Sequence, residues 1–539
     1  SYLTITLPRF AKALEKGLDT GMWPAQDVCS TWDHVRGLPR FLSGFLSRIF
    51  MPDGTLQENP DAMCIWAVRQ VCYLTHKVER DCSPKRIAAA FDQFLKTDEE
   101  LSGLLESIDS ETLESVDDAF WRLFRDVSLD WDRKIANYEL VPGHGPGAVA
   151  QRLSQLEKRT VDYWPERLSE VFPSWRYSSN LPQWKDHDVV PSGEHPVRVI
   201  TVPKTQSTPR IIAIEPSTMQ YAQQGLKREM YESIERGFLG KILGFTDQTR
   251  NQALAYSSSI DGSLATLDLS EASDRVSFDL VMHLFRRTPH VRDFLDATRS
   301  RQAEVEGHGI IRLHKFASMG SALTFPIEAM VFTAIALAGM EQAAGRQYRL
   351  RELPGKVSVY GDDIIIPVAS AGDVVSLLEA FRLKVNTNKS FWTGKFRESC
   401  GSEFYDGTDV SVVRLRQELP SSHHDAALVA ALVDFRNRCY YAGLWGVVKE
   451  ADQRLESLIR LPYANATTPD TSPGYLHLVT SNEIVHTVRW NESLQRPEIR
   501  VPFLVGRSKS YFVDGPPGVL EWFHSSLRRR DIVDRYQSE

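Results

Sequence analysis

The 539-residue sequence predicts an α+β fold, and three stretches carry that prediction. Val357-Ser-Val-Tyr-Gly-Asp-Asp-Ile-Ile-Ile-Pro367 sets two apolar, largely β-branched arms around a Gly-Asp-Asp centre, the pattern of a tight hairpin. Leu264 to Ser277 begins as a strand and passes into helical spacing. Ser318 to Leu337 is a small-residue loop that runs into a long apolar helix, with Pro326 placed for a first helical turn.

Composition bounds what these elements can belong to. Hydrophobic residues at 42% and charged residues at 25% describe an ordinary globular protein, long enough for two to four subdomains. No run approaches the roughly 18 uncharged apolar residues of a membrane span, and the first residues lack the pattern of a signal peptide, so no membrane partner is expected. Cys29, Cys64, Cys72, Cys82, Cys400 and Cys439 show no metal-site spacing and read as reduced thiols of a cytosolic protein. With a net charge of −7, any nucleic-acid partner would need positive charge gathered into a groove.

Taken in order, residues 1 to about 130 look mainly helical. Leu38 to Phe50 and Asp61 to Tyr73 both carry helical apolar spacing. The acidic stretch Thr97 to Asp118 reads as a solvated helix pair or a mobile insert, with no chemistry attached. Gly143-His-Gly-Pro-Gly147 is a loop whose glycines admit a close phosphate and whose His144 could touch RNA, or else a plain interdomain turn. Trp164, Trp175 and Trp184 read as packing residues.

Val197 to Ile214 changes character. It holds Arg198, Lys204 and Arg210, no acid, and two β-rich arms. Such a hairpin is either a charge-protected edge strand or a phosphate-binding element. Asp268 is embedded in Thr-Leu-Asp-Leu, where an unpaired buried acid costs several kcal/mol. A metal shared with Asp362 would resolve that cost, because hard oxygen donors suit Mg²⁺ or Mn²⁺. For Asp274, helix capping is the alternative, and for Asp362 and Asp363 it is a solvated turn. A helix is expected over Val374 to Leu383. Lys389 then follows in a polar turn, either solvated or poised to protonate a leaving pyrophosphate. Beyond about 415, helical runs alternate with loops (Pro462 to Pro473), ending in a helix over Leu520 to Tyr536.

As an ordered set, these elements resemble the fingers and palm of viral RNA-directed RNA polymerases. Asp261 to Asp274, Ser318-Met-Gly320 with Thr324-Phe325 and Glu328, Tyr360-Gly-Asp-Asp363 and Phe396-Arg-Glu-Ser-Cys-Gly401 resemble the replicase catalytic subunit of the RNA bacteriophages (leviviruses), as do Asp247-Gln248 and Asn251-Gln252. The resemblance covers roughly residues 195 to 410.

It implies a right-handed architecture with an antiparallel palm sheet flanked by helices. Residues 1–190 would form a helical region contributing to the fingers, and 191–264 the fingers with the basic hairpin. Residues 265–415 would form the palm, with part of the fingers inserted at about 285–317, and 416–539 the thumb and C-terminal region. It further implies two Mg²⁺ ions, replaceable by Mn²⁺, on Asp268 and Asp362 with Asp363 as a weaker ligand. Lys389 would be the general acid. Arg198, Lys204 and Arg210 would grip the ribonucleoside triphosphate, and Asp274 with Ser318, Gly320, Ser321 and Thr324 would sense the ribose. Many such polymerases place an Asn where this chain has Glu328. Implied partners are template and product RNA, host elongation factors Tu and Ts and a ribosomal protein, in the bacterial cytoplasm, with primer-independent initiation. A reverse transcriptase, a narnavirus- or mitovirus-type polymerase and a non-catalytic RNA-binding scaffold are the alternatives.

Overall fold

The computed structural model describes residues 2–24, 32–35, 37–154, 157–159, 163–177, 191–205, 208–459, 463–465, 475–477 and 488–499. Cys29, Trp184, the helix expected over Leu520 to Tyr536 and the expected loop Pro462 to Pro473, apart from 463–465, lie outside them. The chain divides into two units, Ser1–Leu153 with Lys158–Val412, and Ser154–Glu157 with Val413–Glu539.

The first unit opens with helices α1 (Leu7–Thr20), α2 (Ala62–Tyr73), α3 (Pro84–Glu99) and α4 (Ser110–Ala136). Asp61 caps α2 by accepting from the Met63 and Cys64 amides. Strands β1 (Val197–Val202) and β2 (Arg210–Ile214) form the basic hairpin, followed by α5 (Ser217–Arg236) and α6 (Thr249–Asp261). Strand β3 (Leu264–Ser270) leads through a short turn to α7 (Phe278–Leu284) and α8 (Pro289–Thr298). Strands β4 (Gln302–Val305) and β5 (Gly309–Arg312) return to the hairpin, completing a sheet of order β2-β1-β4-β5.

Helix α9 (Thr324–Ala344) precedes β6 (Ser358–Tyr360), β7 (Asp363–Pro367), α10 (Ala371–Ala380) and β8 (Lys384–Val385). Here the second sheet has the order β6-β7-β3-β8, with every pair antiparallel. Its apolar side and α4, α5, α9 and α10 contribute to one large core. A further hairpin follows, β9 (Phe396–Ser399) with β10 (Ser402–Tyr405), which packs with α1 and α2 around Phe10, Phe50, Phe391 and Phe396. In the second unit, α11 (Ala426–Tyr441) and α12 (Trp445–Glu456) are tied by Arg436 donating to Asp452 at 2.7 Å.

Several expectations change. Leu38 to Phe50 is not a helix: Leu38–Pro39 pairs with His34–Val35, Leu42 takes a left-handed φ of 55°, and only Ser43–Leu46 turns. Pro39 and the left-handed residue both interrupt the hydrogen-bond ladder that the apolar spacing suggested. Thr97 to Asp118 joins α3 to α4 with most of its acids in solvent, as a solvated helix pair would, but Asp98 and Asp117 are in the interior. Arg286 and Arg287 answer Asp117. Trp164 is buried as expected, while Trp175 is 70% exposed. The helix expected over Val374 to Leu383 ends at Ala380, where Arg382 turns left-handed at φ 59°. Helix α9 is long and apolar enough to cross a membrane, but 89% of its apolar window is interior, so its composition follows from the core it fills.

Candidate active site

The site is set by strand register. Tyr360 pairs with Asp363, so Gly361 and Asp362 form a two-residue loop. Gly361 has φ 61°, and a Cβ there would lie 2.4 Å from the Phe325 ring, so both backbone and space require glycine. Across the sheet, Asp363 stands directly opposite Asp268. Residues in that relation leave the same face, where like charges destabilise the pair. Burial, then Asp268, raises the Asp362 carboxyl above the usual range. Burial, then Asp362, pushes Asp363 up to about 6, against the pull of the Cys400 amide. Among the described residues no three His, Cys, Asp or Glu side chains already stand close enough to enclose a metal. The donors themselves, carboxylates forced together by register, are those a hard divalent cation takes.

Asp268 has the densest set of partners. Its Oδ2 accepts from Asn386 at 2.8 Å, its Oδ1 lies 3.2 Å from Lys389 Nζ, and its carbonyl accepts the Asn386 amide at 2.8 Å. Burial opposes the charge of Lys389, but Glu398 and then Asp268 outweigh it and hold the ammonium above the ordinary lysine range. Asn386 was not singled out from sequence. Its only signal was its place beside a short strand in the turn that carries Lys389. Asn251 is a second supporting residue: its amide donates to the Asp363 carbonyl at 3.3 Å and its oxygen accepts from Ser358 at 2.6 Å. It thereby fixes both arms of the acidic hairpin.

The basic hairpin reaches the same site. Lys204 keeps a solvent-facing edge, yet the protein crowded around it, then Arg210 and Lys389, lowers its pKa, while Asp268 and Asp362 pull the other way. Arg210 is exposed at the start of β2. Arg198 sits on β1 opposite Ile214, in register with Glu304 of β4, and its buried Nε has no hydrogen-bond partner among the described residues.

The loop before α9 is built against β2. Ala213 donates to the Met319 carbonyl at 2.9 Å, and a Cβ on Gly320 (φ 134°) would lie 2.0 Å from the Ala213 carbonyl oxygen. Ser321 donates to Gln223 at 3.0 Å and Thr324 to the Ser318 carbonyl at 2.7 Å. Both hydroxyls therefore shape the loop itself. Ser318 Oγ is buried with no partner among the described residues. Glu328 is also buried, with Oε2 unpartnered among them. Burial, then Asp362, then Asp274 keep its carboxyl well above the usual range. Asp274 lies 3.2 Å from the ammonium of Lys315. His144 is stacked on Tyr221 of α5 with centroids 4.6 Å apart, an anchor for its loop.

Comparison with known proteins adds to this geometry. Residues 185–437 match the family model described as RNA replicase, beta-chain. The matched segment is a little under half of the 539-residue chain. Every candidate residue above except His144 falls within it. The RNA-directed RNA polymerase beta chain of Enterobacteria phage fr is 37% identical over 268 residues, 49% of this chain and 45% of the relative. That of Escherichia phage MS2 is 36% identical over 250 residues, 46% and 41%. The subunit beta of Qbeta virus (strain MX1) is 37% identical over 224 residues, 42% and 36%. The chain thus spans less than half the length of these curated relatives. Among solved structures, the BmCPV RNA-dependent RNA polymerase at elongation state aligns with 64% of this chain and 32% of its own. The TM-score is 0.39 and the identity 11%.

Proposed function

We propose that this chain polymerises ribonucleotides on an RNA template as the catalytic subunit of an RNA phage replicase. One observation carries the reading: strand register sets Asp268 against Asp363 with Asp362 at the hairpin tip, in the electrostatic field of Lys204 and Lys389. Asp268 and Asp362 would hold two Mg²⁺ ions, or Mn²⁺ in their place, with Asp363 secondary. Such ions, when bound, lower the pKa of the 3′-hydroxyl and stabilise the leaving pyrophosphate.

The chain's own residues would do the rest. Lys204, Arg210 and Arg198 orient the triphosphate by neutralising its charge. Lys389 carries a proton at Nζ, where a leaving pyrophosphate can take it. Asp274, with the Ser318–Thr324 loop, meets the ribose 2′-hydroxyl. The architecture would be fingers, palm and thumb, with primer-independent initiation. Replicase kinship also supports host elongation factors Tu and Ts and a ribosomal protein as partners, in the bacterial cytoplasm.

Incorporation by the purified chain on a C-rich RNA template with Mg²⁺, with and without bacterial extract, tests this reading. Asp362→Asn is expected to lower incorporation on the order of a thousandfold with RNA retention on a filter unchanged. Equal activity in the variant overturns the assignment, and a preference for deoxynucleotides reassigns the chain as a reverse transcriptase.

A further inference from the structure

Lys315 is 0% exposed, one of two buried lysines among the described residues. An isolated buried cation is unstable, so its surroundings show what it is for. Its Nζ lies 3.2 Å from Asp274 and 3.8 Å from Asp98 of α3, and 3.5 Å from the centre of the Phe94 ring, also of α3. Asp98 is fixed independently, accepting the His314 amide at 2.9 Å and the Lys315 amide at 3.0 Å. The lysine's own backbone is tied down by the bridge between Ser277 and Lys315 and by Phe316 donating to Val276 at 2.7 Å. The turn that carries Asp274 is thus clamped from both sides.

We infer that Lys315 is a positioning residue for sugar selection: seated by Asp98 and Phe94, it fixes the Asp274 carboxylate at the ribose end of the site. The inference rests on the proposed reading of Asp274. It also gives α3, which lies outside the replicase-matched segment, a direct part in substrate choice. Without the ammonium, the Asp274 side chain would lose its anchor. Both sugars would still be incorporated, but the 2′-hydroxyl would be discriminated less well, since selection depends on a buried polar group held where the hydroxyl arrives.

The test measures kcat/KM for a ribonucleoside triphosphate and for its 2′-deoxy analogue, and takes their ratio. Lys315→Met is expected to lower the ratio by about tenfold or more, with Lys315→Arg restoring part of it. A merely structural lysine would lower both values together and leave the ratio unchanged, which would overturn the inference. Because the Met variant could fail to fold, Phe94→Leu, which loosens the seat and keeps the lysine, is expected to move the ratio the same way by a smaller factor. An unchanged ratio there also counts against the inference. Asp274→Asn separates the two levels of the argument. If it leaves the ratio untouched, the ribose reading of Asp274 itself fails. If it lowers the ratio, Lys315→Met in that background should add nothing further, and an additive effect would show that the lysine acts by another route.

Discussion

Two groups of acids lie within the first unit, and they differ in what answers their charge. Glu15 and Glu403 flank Arg69, which is 0% exposed. The guanidinium lies 2.8 Å from one carboxylate and 2.6 Å from the other, with the Tyr73 hydroxyl donating to Glu15 at 3.0 Å. Burial works against the charge of Arg69, but Glu403 and Glu15 outweigh it and raise its pKa. Among the described residues, the one cation within ion-pair distance of Asp268, Asp362 and Asp363 is Lys389, 3.2 Å from Asp268, and that side chain keeps 44% of its exposure. The first group brings its own counter-ion and ties α1 and α2 to the β9–β10 hairpin. In the second, burial and a neighbouring acid raise the Asp362 and Asp363 carboxyls, the mark of charge arranged for a ligand.

The sharpest way to break this contrast is to remove one member of each group and compare stability. Arg69→Met strands two buried carboxylates and is expected to cost about 3–5 kcal/mol in urea unfolding. Asp362→Asn, which sharply lowers incorporation in the proposed reading, is expected to leave the unfolding midpoint unchanged or raise it. Equal losses in both would erase the distinction.

A smaller effect sharpens it. Burial, then Asp362, pushes the Asp363 carboxyl from its ordinary 3.8 up to about 6. A raised folded pKa contributes stability that is present below the unfolded value and is lost as pH rises through the folded one. In chelator, the wild type is therefore expected to lose stability relative to Asp363→Asn between about pH 4 and 6. Melting curves of the two across that window measure the difference. Glu215 and Glu398, each pushed up to about 7 with burial the leading cause, act with the same sign at higher pH and cancel in this comparison. Adding Mg²⁺ at pH 7.5 should raise the wild-type midpoint and leave that of Asp268→Asn unmoved.

The smallest effect concerns the basic hairpin. Lys204→Ala is expected to raise KM for nucleotide by about fivefold to tenfold, with kcat and melting temperature little changed, because the side chain is solvent-facing. A fall in kcat alone would place Lys204 on the chemical step instead.

Much of the site could be read from sequence because its residues break local rules. An aspartate inside Thr-Leu-Asp-Leu and a pair of aspartates between β-branched arms have no local reason to be there, and a run with three cations and no acid stands out in an acidic chain. Residues that obey local rules gave no such signal. Asn386 looks like turn chemistry, Lys315 like a solvated lysine near a strand end, and Asp98 like one acid in an acidic helix. Each gains its place at the candidate site only through a partner far along the chain. Within Thr97 to Asp118 the same holds for Asp98, answered by Lys315, and for Asp117, answered by Arg286 and Arg287.

By itself, then, the sequence determined the hairpin, the strand that carries Asp268, the apolar helix α9 and the chemical identity of the donors. These follow from periodicity, turn geometry and the cost of burying charge, all of which act within a few residues. Tertiary structure alone decided that Asp363 faces Asp268 and that Lys204 lies in the field of Asp268 and Asp362. It also decided that α3 reaches across to hold Lys315. Pairing register and the answering of one buried charge by another depend on which surfaces meet, and contacts between residues so far apart in the chain exist only once the core has closed.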